Sequence, residues 1–521
     1  MIVTQFEMHT IEDLGLLKMD LLGLKNLTII EDAVRLVTER VGKKIDISNL
    51  PENDPATYKL LQAADTTGVF QLESSGMRRY LKELKPTELE DITAMVALYR
   101  PGPMELIPQY ISRKHKREPV TYLHPKVEPV FKNTYGIMIY QEQLMAAARA
   151  LAGLSLAEAD VLRKAVGKKI RKLLLEQREK LIGGCIKNGV SKQIAEQFWL
   201  LIEPFDRYGF NRSHAVCYAT IAYQTAYLKA HYPIEFMTAL LNADSGDIDR
   251  VAFVISECKR MNINVLPPDI NKSSALFTPE ENNIRFGLTA IKNLGTAIVE
   301  ALIAERAAGG PFAGLPDILN RVRHKDLNKK SLDALVKSGA LDSLGHERNQ
   351  IVQNLDDILR FASIVKKERQ SDQAYLFGKP PPPKTMKLKP VPPATMEEKL
   401  AWEKELLGLY ISDHPLSSYR AKIETIKAKP IKDLLNSNDE RSYHNIAGLI
   451  AKVNKILTKT GKPMLFAKIQ DLNDTMEVVV FPETYNATMA VWNENTAVAV
   501  TGRLSLRNGE PKLICEKAVA L

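Results

Sequence analysis

Lys18 and Asp20 lie two residues apart in a stretch that reads as a β-strand. Alternation then sends both side chains to one face. A carboxylate in that place can hold Mg²⁺, and the lysine can meet a phosphate. A surface ion pair on an edge strand accounts for the same spacing.

A second group is basic. Residues 161–180 hold eight Lys or Arg against two Glu. On a helix Lys164 and Lys168 share a face, and Arg163 stands beside them. Such a face suits a triphosphate or a nucleic-acid backbone, with arginine able to bind two oxygens at once. A solvated helix face is the plainer reading. A third group, Tyr208-Gly-Phe-Asn-Arg-Ser-His214, brings Asn211, Arg212, Ser213 and His214 together after a glycine break. It reads as a nucleotide-facing loop, or as a glycine helix end followed by the Asn or Ser cap of the next helix. A metal-ligand role for His214 is not expected, since a metal site needs three or four ligands.

Two further segments suit partners. Ile291-Lys-Asn-Leu-Gly295, ahead of a helix over 297–307, has the form of a helix-hairpin-helix turn. Backbone N–H groups there, around Lys292, Asn293 and Gly295, can hold a DNA phosphate without reading sequence. A second such turn lies near Lys337-Ser-Gly-Ala340. An ordinary glycine turn is the alternative for each. Gln373-Ala-Tyr-Leu-Phe377 lies in a proline-rich stretch, where an exposed Leu-Phe pair suits a docking peptide. Asp247 and Asp249 form the one Asp-x-Asp pair, and a helix cap explains them better than a metal does.

The elements that carry these groups follow from periodicity. Apolar residues recur at three and four in 27–41, 88–98, 141–151 and 194–202, so residues 26–235 are predicted mostly helical. Residues 1–24 are expected as strand, turn and strand. A helix over 250–261 precedes the Pro267-Pro268 turn. Residues 286–345 read as a small helical unit, 366–400 as an extended linker with prolines at 380–383, 390, 392 and 393, and 398–435 as helix again. Five alternating runs, 445–453, 464–471, 477–481, 497–506 and 511–518, fit a small OB-type barrel.

At 521 residues, with 45% hydrophobic content and a net charge of +9, the chain is long enough for several domains, and its charge suits a polyanionic partner. Four scattered cysteines argue against a disulfide framework and for a reducing, cytoplasmic setting. No apolar run spans a membrane, and no secretory signal opens the chain. Entry straight into a strand-like segment suggests a start inside a domain.

Taken together, GLLKMDLLGLKNLT, GVFQLESSGMR, ALYRPGPME, YGIMIYQEQLM, RKAVGKK, YGFNRSHAVCYA and AYQTAYLKAHYP resemble the alpha-subunit family of bacterial DNA polymerase III, the C-family replicative polymerases. The resemblance runs along essentially the whole chain. It implies a multidomain α+β architecture with mainly helical fingers, tandem helix-hairpin-helix and a C-terminal OB-type β-barrel. Its divisions would be 1–25 as the last part of a palm, 26–275 as fingers, 276–365 as helix-hairpin-helix and clamp-binding region, 366–435 as linker with clamp-binding peptide and helices, and 436–521 as OB domain. The implied activity is DNA-directed DNA polymerisation.

The resemblance also implies roles. Asp20 would be a catalytic, metal-holding aspartate and Lys18 an active-site lysine. Arg163, Lys164 and Lys168, with Asn211, Arg212 and His214, would line the nucleotide site. Lys292, Asn293 and Gly295 would hold DNA, and Gln373, Leu376 and Phe377 would bind the sliding clamp. Two Mg²⁺ ions, primer-template DNA, dNTPs, the clamp and other replicase subunits are the implied cofactors and partners. The family places two more aspartates in a Pro-Asp-x-Asp motif, and no such segment occurs here. One carboxylate cannot clamp two ions. The expectation is a C-terminal portion, truncated at both ends and inactive alone, completed by an N-terminal portion of the subunit. A non-catalytic DNA- and clamp-binding fragment is the rival.

Overall fold

The computed structural model describes the whole chain except residues 1, 2, 18, 20–22, 169, 170, 204, 206–208, 371–387, 436, 438, 441, 459, 473 and 507–510. Lys18 and Asp20, and the peptide holding Gln373, Leu376 and Phe377, therefore lie outside the described residues.

The helical half follows the apolar periodicity closely. The predicted helices appear as Lys25–Val41, Leu89–Leu98, Gln141–Ala152 and Lys192–Ile202. Arg212–His231 is the central rod. Its Ala215, Ala219, Ala222 and Ala226 are fully buried, and these small residues let Leu89–Leu98 pack close alongside. Ahead of the rod, a separate core gathers Leu144, Leu151, Leu162, Val166, Leu181 and Phe198. That core sets Gln141–Ala152 against the basic helices Leu156–Lys168 and Arg171–Lys187.

A third core runs without a break from Ile29 and Phe236 through Phe286 and Leu302 to Ile358 and Leu407. It joins the helix Pro233–Ala243 to a small sheet, β1 (Val265–Leu266), β2 (Thr278–Glu280) and β3 (Asn283–Arg285), in the order β1-β3-β2. It continues into the helices Thr296–Gly309, Leu315–Arg321 and Lys329–Lys337. Inside this half, Lys229 donates from its buried ammonium to Glu257 at 2.7 Å and to the carbonyls of Asp65 and Thr67 at 2.9 Å. The buried charge is thereby paired and fully hydrogen-bonded.

The last five strands form a closed barrel in the order β4-β5-β6-β8-β7: Tyr443–Leu457, Pro463–Gln470, Thr475–Val480, Lys512–Ala520 and Ala497–Ser505 respectively. Each predicted run is present. A helix not foreseen, Pro482–Thr488, plugs the barrel between β6 and β7 with buried Tyr485. Closure needs Gly502. Its position faces the Ile514 carbonyl so closely that a Cβ would stand 2.1 Å from that oxygen, beside the register shift between Thr501 and Gly502.

Three expectations are corrected. Residues 8–13 are helical, and no strand occurs among the described residues of 3–24. Pairing needs a neighbouring strand, and none occurs among those described residues. Instead the Glu7 carboxylate takes the Thr10 N–H at 2.8 Å and starts a helical turn. Residues 366–370 belong to the helix Leu355–Gln370, since Lys, Glu, Arg and Gln are strong helix formers and the prolines begin only at 380. The helix beyond the linker is broken into Met396–Leu407, Arg420–Thr425 and Ile431–Leu435, with Gly408 ending the first in a left-handed cap.

Candidate nucleotide-facing site

Two distant motifs meet at one place. Tyr140 and Phe210 form an isolated parallel bridge, with Gln141 N–H donating to Phe210 O at 2.9 Å and Phe210 N–H to Ile139 O at 3.2 Å. The start of Gln141–Ala152 and the start of Arg212–His231 therefore stand side by side. Gln143 is spent on this construction. Its buried amide accepts from Ile139 and Tyr140 N–H and donates to Thr134 Oγ1 at 2.8 Å.

Asn211 caps the central rod, taking the His214 N–H on Oδ1 at 2.8 Å. The cap and the exposed loop are thus one structure. Glu142 braces it from the neighbouring helix, accepting from Asn211 Nδ2 at 3.0 Å and from the Arg212 N–H at 2.9 Å. Glu90 holds the Arg212 guanidinium at 2.8 Å and the Tyr140 hydroxyl at 3.2 Å. That carboxylate raises the Arg212 pKa, and burial raises that of Tyr140 well above its ordinary value. Arg100 lies 4.0 Å over the Phe210 ring, and burial lowers its pKa. His214 stacks 4.2 Å from the Tyr218 ring on the next turn.

The basic helix joins the same place through Gln141. Arg163 donates from Nη1 to Gln141 Oε1 at 3.3 Å, and Gln141 donates from Nε2 to the Gly209 carbonyl at 3.1 Å. The rest of the guanidinium grips Asp160 Oδ1 from Nε and Nη2 at 2.9 and 2.8 Å. Lys164 takes the other oxygen, Oδ2, at 2.9 Å. Hydrogen bonds from Lys164 and then Arg163 lower the Asp160 pKa. Arg163, Lys164, Asn211, Arg212 and His214 are thus parts of one connected surface. Lys168 ends its helix, and its side chain lies outside the described residues.

Sequence reasoning missed Glu90, Arg100, Glu142 and Asp160. Asp160 carried a readable signal, three and four residues before its partners. Glu90 and Arg100 carried none, because their partners are about 120 and 110 residues away in sequence.

The first hairpin turn is open to solvent. Lys292, Asn293 and Gly295 are exposed, Asn293 is left-handed at φ 70°, and no side chain caps the helix Thr296–Gly309. Uncapped N–H groups at a helix start form an anion cradle. The turn is anchored from behind by Lys292 N–H on Leu406 O at 3.0 Å. The second turn differs from expectation. Ser338 and Ala340 are buried, Ala340 O accepts from Ile270, and Arg348 fills the space beside Gly339. Its backbone is consumed internally and offers no phosphate cradle. Asp247 caps its helix, accepting from Asp249 and Arg250 N–H at 3.1 and 3.0 Å.

Among the described residues no cluster of three or more His, Cys, Asp or Glu is placed to hold a metal ion, and no helix is long and apolar enough to cross a membrane. Asp20, the carboxylate expected to hold Mg²⁺, is not among them.

Residues 26–189 match the family described as the bacterial DNA polymerase III alpha subunit finger domain. Residues 262–351 match a helix-hairpin-helix motif, and 444–521 an OB-fold nucleic acid binding domain. The chain is 42% identical to DNA polymerase III subunit alpha of Bacillus subtilis, over 100% of this chain and 46% of that relative. It is 40% identical to that of Thermus aquaticus over 99% of this chain and 42% of the relative, and 39% identical to that of Borreliella burgdorferi over 99% and 45%. The chain therefore spans less than half the length of these relatives, and matches their C-terminal part.

Proposed function

We propose that this chain, which belongs to the bacterial DNA polymerase III alpha-subunit family, supplies the nucleotide-gripping fingers and the DNA-holding modules of a template-directed DNA polymerase. The observation that carries this is the hydrogen-bonded path from Arg163 through Gln141 to the Gly209 carbonyl, which makes the basic helix and the Asn211–His214 loop one surface.

In the proposed reaction the primer 3′-oxygen attacks the α-phosphorus of a dNTP, and pyrophosphate leaves. Arg163, Lys164 and Lys168 neutralise the triphosphate, and Asn211, Arg212 and His214 face the nucleotide. Lys18 acts beside the same phosphates. When bound, Mg²⁺ stabilises charge on the attacking and leaving oxygens, and Asp20 is the residue of this chain proposed to hold it. The exposed turn at Lys292, Asn293 and Gly295 holds duplex backbone, the barrel holds single strand, and Gln373, Leu376 and Phe377 bind the sliding clamp. Other replicase subunits and an N-terminal portion bearing Pro-Asp-x-Asp complete the assembly.

The second reading is a DNA- and clamp-binding chain without chemistry, favoured by the exposed uncapped turn at Lys292, Asn293 and Gly295 and by the closed barrel. Primer extension separates the two, using this chain alone and then mixed with an N-terminal portion that carries that segment. Extension only in the mixture, abolished by Asp20→Asn, supports the enzyme reading. DNA and clamp binding without extension in either case supports the second.

A further inference from the structure

Three cations of the nucleotide-facing surface, Arg163, Lys164 and Arg212, are held by the protein's own carboxylates. Glu90 holds Arg212, and Asp160 holds both Arg163 and Lys164. The Asp160 arrangement differs from an ordinary surface pair in one respect. A single carboxylate receives two nitrogens of the Arg163 fork on one oxygen and the Lys164 ammonium on the other. The third guanidinium nitrogen goes to Gln141. The donor geometry that Arg163 offers a phosphate is thus already spent on an anion of similar shape.

We propose that Asp160 is a built-in stand-in for the incoming polyphosphate, a positioning residue that keeps Arg163 and Lys164 in their gripping geometry and is displaced by the ligand. This inference rests on the assignment of Arg163 and Lys164 to the triphosphate.

Two consequences follow from charge alone. With no ligand, the two cations are kept from repelling one another and from wandering. When a polyphosphate arrives, it must take donors from Asp160 and tolerate a like charge beside it. Asp160 therefore lowers affinity for any polyanion at this face and makes binding an exchange of counter-charges. Its 35% side-chain exposure leaves it open to both solvent and ligand. A tight, undiscriminating hold on polyphosphate is avoided, and release of the product polyphosphate is eased.

The test is equilibrium binding of inorganic tripolyphosphate and of dATP to the full chain, by calorimetry at low and moderate salt. Asp160→Asn removes the charge and keeps the shape. Its affinity for both probes is expected to rise about three- to tenfold at low salt, with the gain shrinking as salt screens the carboxylate. Asp160→Glu is expected to restore the parent value. Simple structural damage does not tighten binding, so a gain separates displacement from loss of fold. Arg163→Ala is measured alongside. If it weakens binding while Asp160→Asn leaves it unchanged or weaker, the stand-in role is overturned and the site assignment survives. If Arg163→Ala changes nothing, the site assignment fails and this inference falls with it.

Discussion

Oε1 of Gln141 lies 3.3 Å from Nη1 of Arg163, while the amide nitrogen of the same Gln141 donates to the carbonyl of Gly209 at 3.1 Å. One side chain thus ties a basic helix to a loop nearly fifty residues further along. Both of its polar atoms are used, and each use has a direction, so no apolar residue of equal size replaces it. Gln141→Leu is expected to leave the fold intact and weaken the proposed dNTP binding about five- to tenfold, close to the net loss of one ordinary hydrogen bond. Titration with a fluorescent dNTP analogue reads it, and unchanged affinity would mean that the coupling is incidental.

Glu142 makes the neighbouring prediction. Its carboxylate accepts from the Arg212 N–H, a group at the helix start with no partner inside the helix. Glu142→Ala is expected to raise the hydrogen-exchange rate of that amide at least tenfold, while amides in the middle of Arg212–His231 keep their protection. Uniform acceleration along the helix would instead indicate global loosening.

The legibility of the chain divides along the range of its interactions. Helices at 25–41 and 141–152 and all five barrel strands were readable, because burial on one face imposes a period on neighbouring residues. The Asn211 cap was readable for the same reason, since its partner is three residues away. The strand expected near the beginning was not confirmed, because a strand is a property of a pair and its sequence names only one member. The bridge between Tyr140 and Phe210, and the ion pair of Arg212 with Glu90, join residues 70 and 122 positions apart, so no local pattern announces them. Motif resemblance did point to both halves of that site, though not to the carboxylates holding it.

The buried pair of Lys229 and Glu257 makes a stability prediction. Their side chains are 1% and 8% exposed. Burial alone would raise the Glu257 pKa, but Arg260 and Lys229 outweigh it and hold it down at about 2. A carboxyl whose folded pKa is depressed stabilises the fold above its unfolded value and loses that contribution as pH falls toward the folded one. Acid is therefore expected to erode stability between about pH 4.5 and about 2, read as a falling Tm. Glu257→Ala removes the partner and strands a buried ammonium, at a cost of about 3–5 kcal/mol. A variant as stable as the parent at pH 7 would show that Lys229 does not depend on Glu257.

In the barrel, Gly502→Ala tests closure. The added Cβ meets the Ile514 carbonyl, which belongs to a paired strand and cannot move without disturbing the ladder. The expected cost is about 1–3 kcal/mol. The barrel transition should move to lower denaturant, while the transition of the helical cores stays in place. Movement of both together would mean that barrel and helical cores unfold as one unit.

The exposed hairpin turn yields the last prediction. The DNA contact proposed for Lys292 and the uncapped start of Thr296–Gly309 would be contact with phosphates, and phosphate contact releases counterions. Duplex DNA binding is expected to fall steeply between low and moderate salt. Lys292→Ala should reduce the slope of log K against log salt by about one and weaken binding about equally for unrelated sequences. Leu376→Ala with Phe377→Ala should leave that slope unchanged while abolishing clamp binding, because the two segments are proposed for different partners. A slope that Lys292→Ala does not alter would move the DNA contact away from this turn. It would leave the barrel and the basic helix to carry the salt dependence.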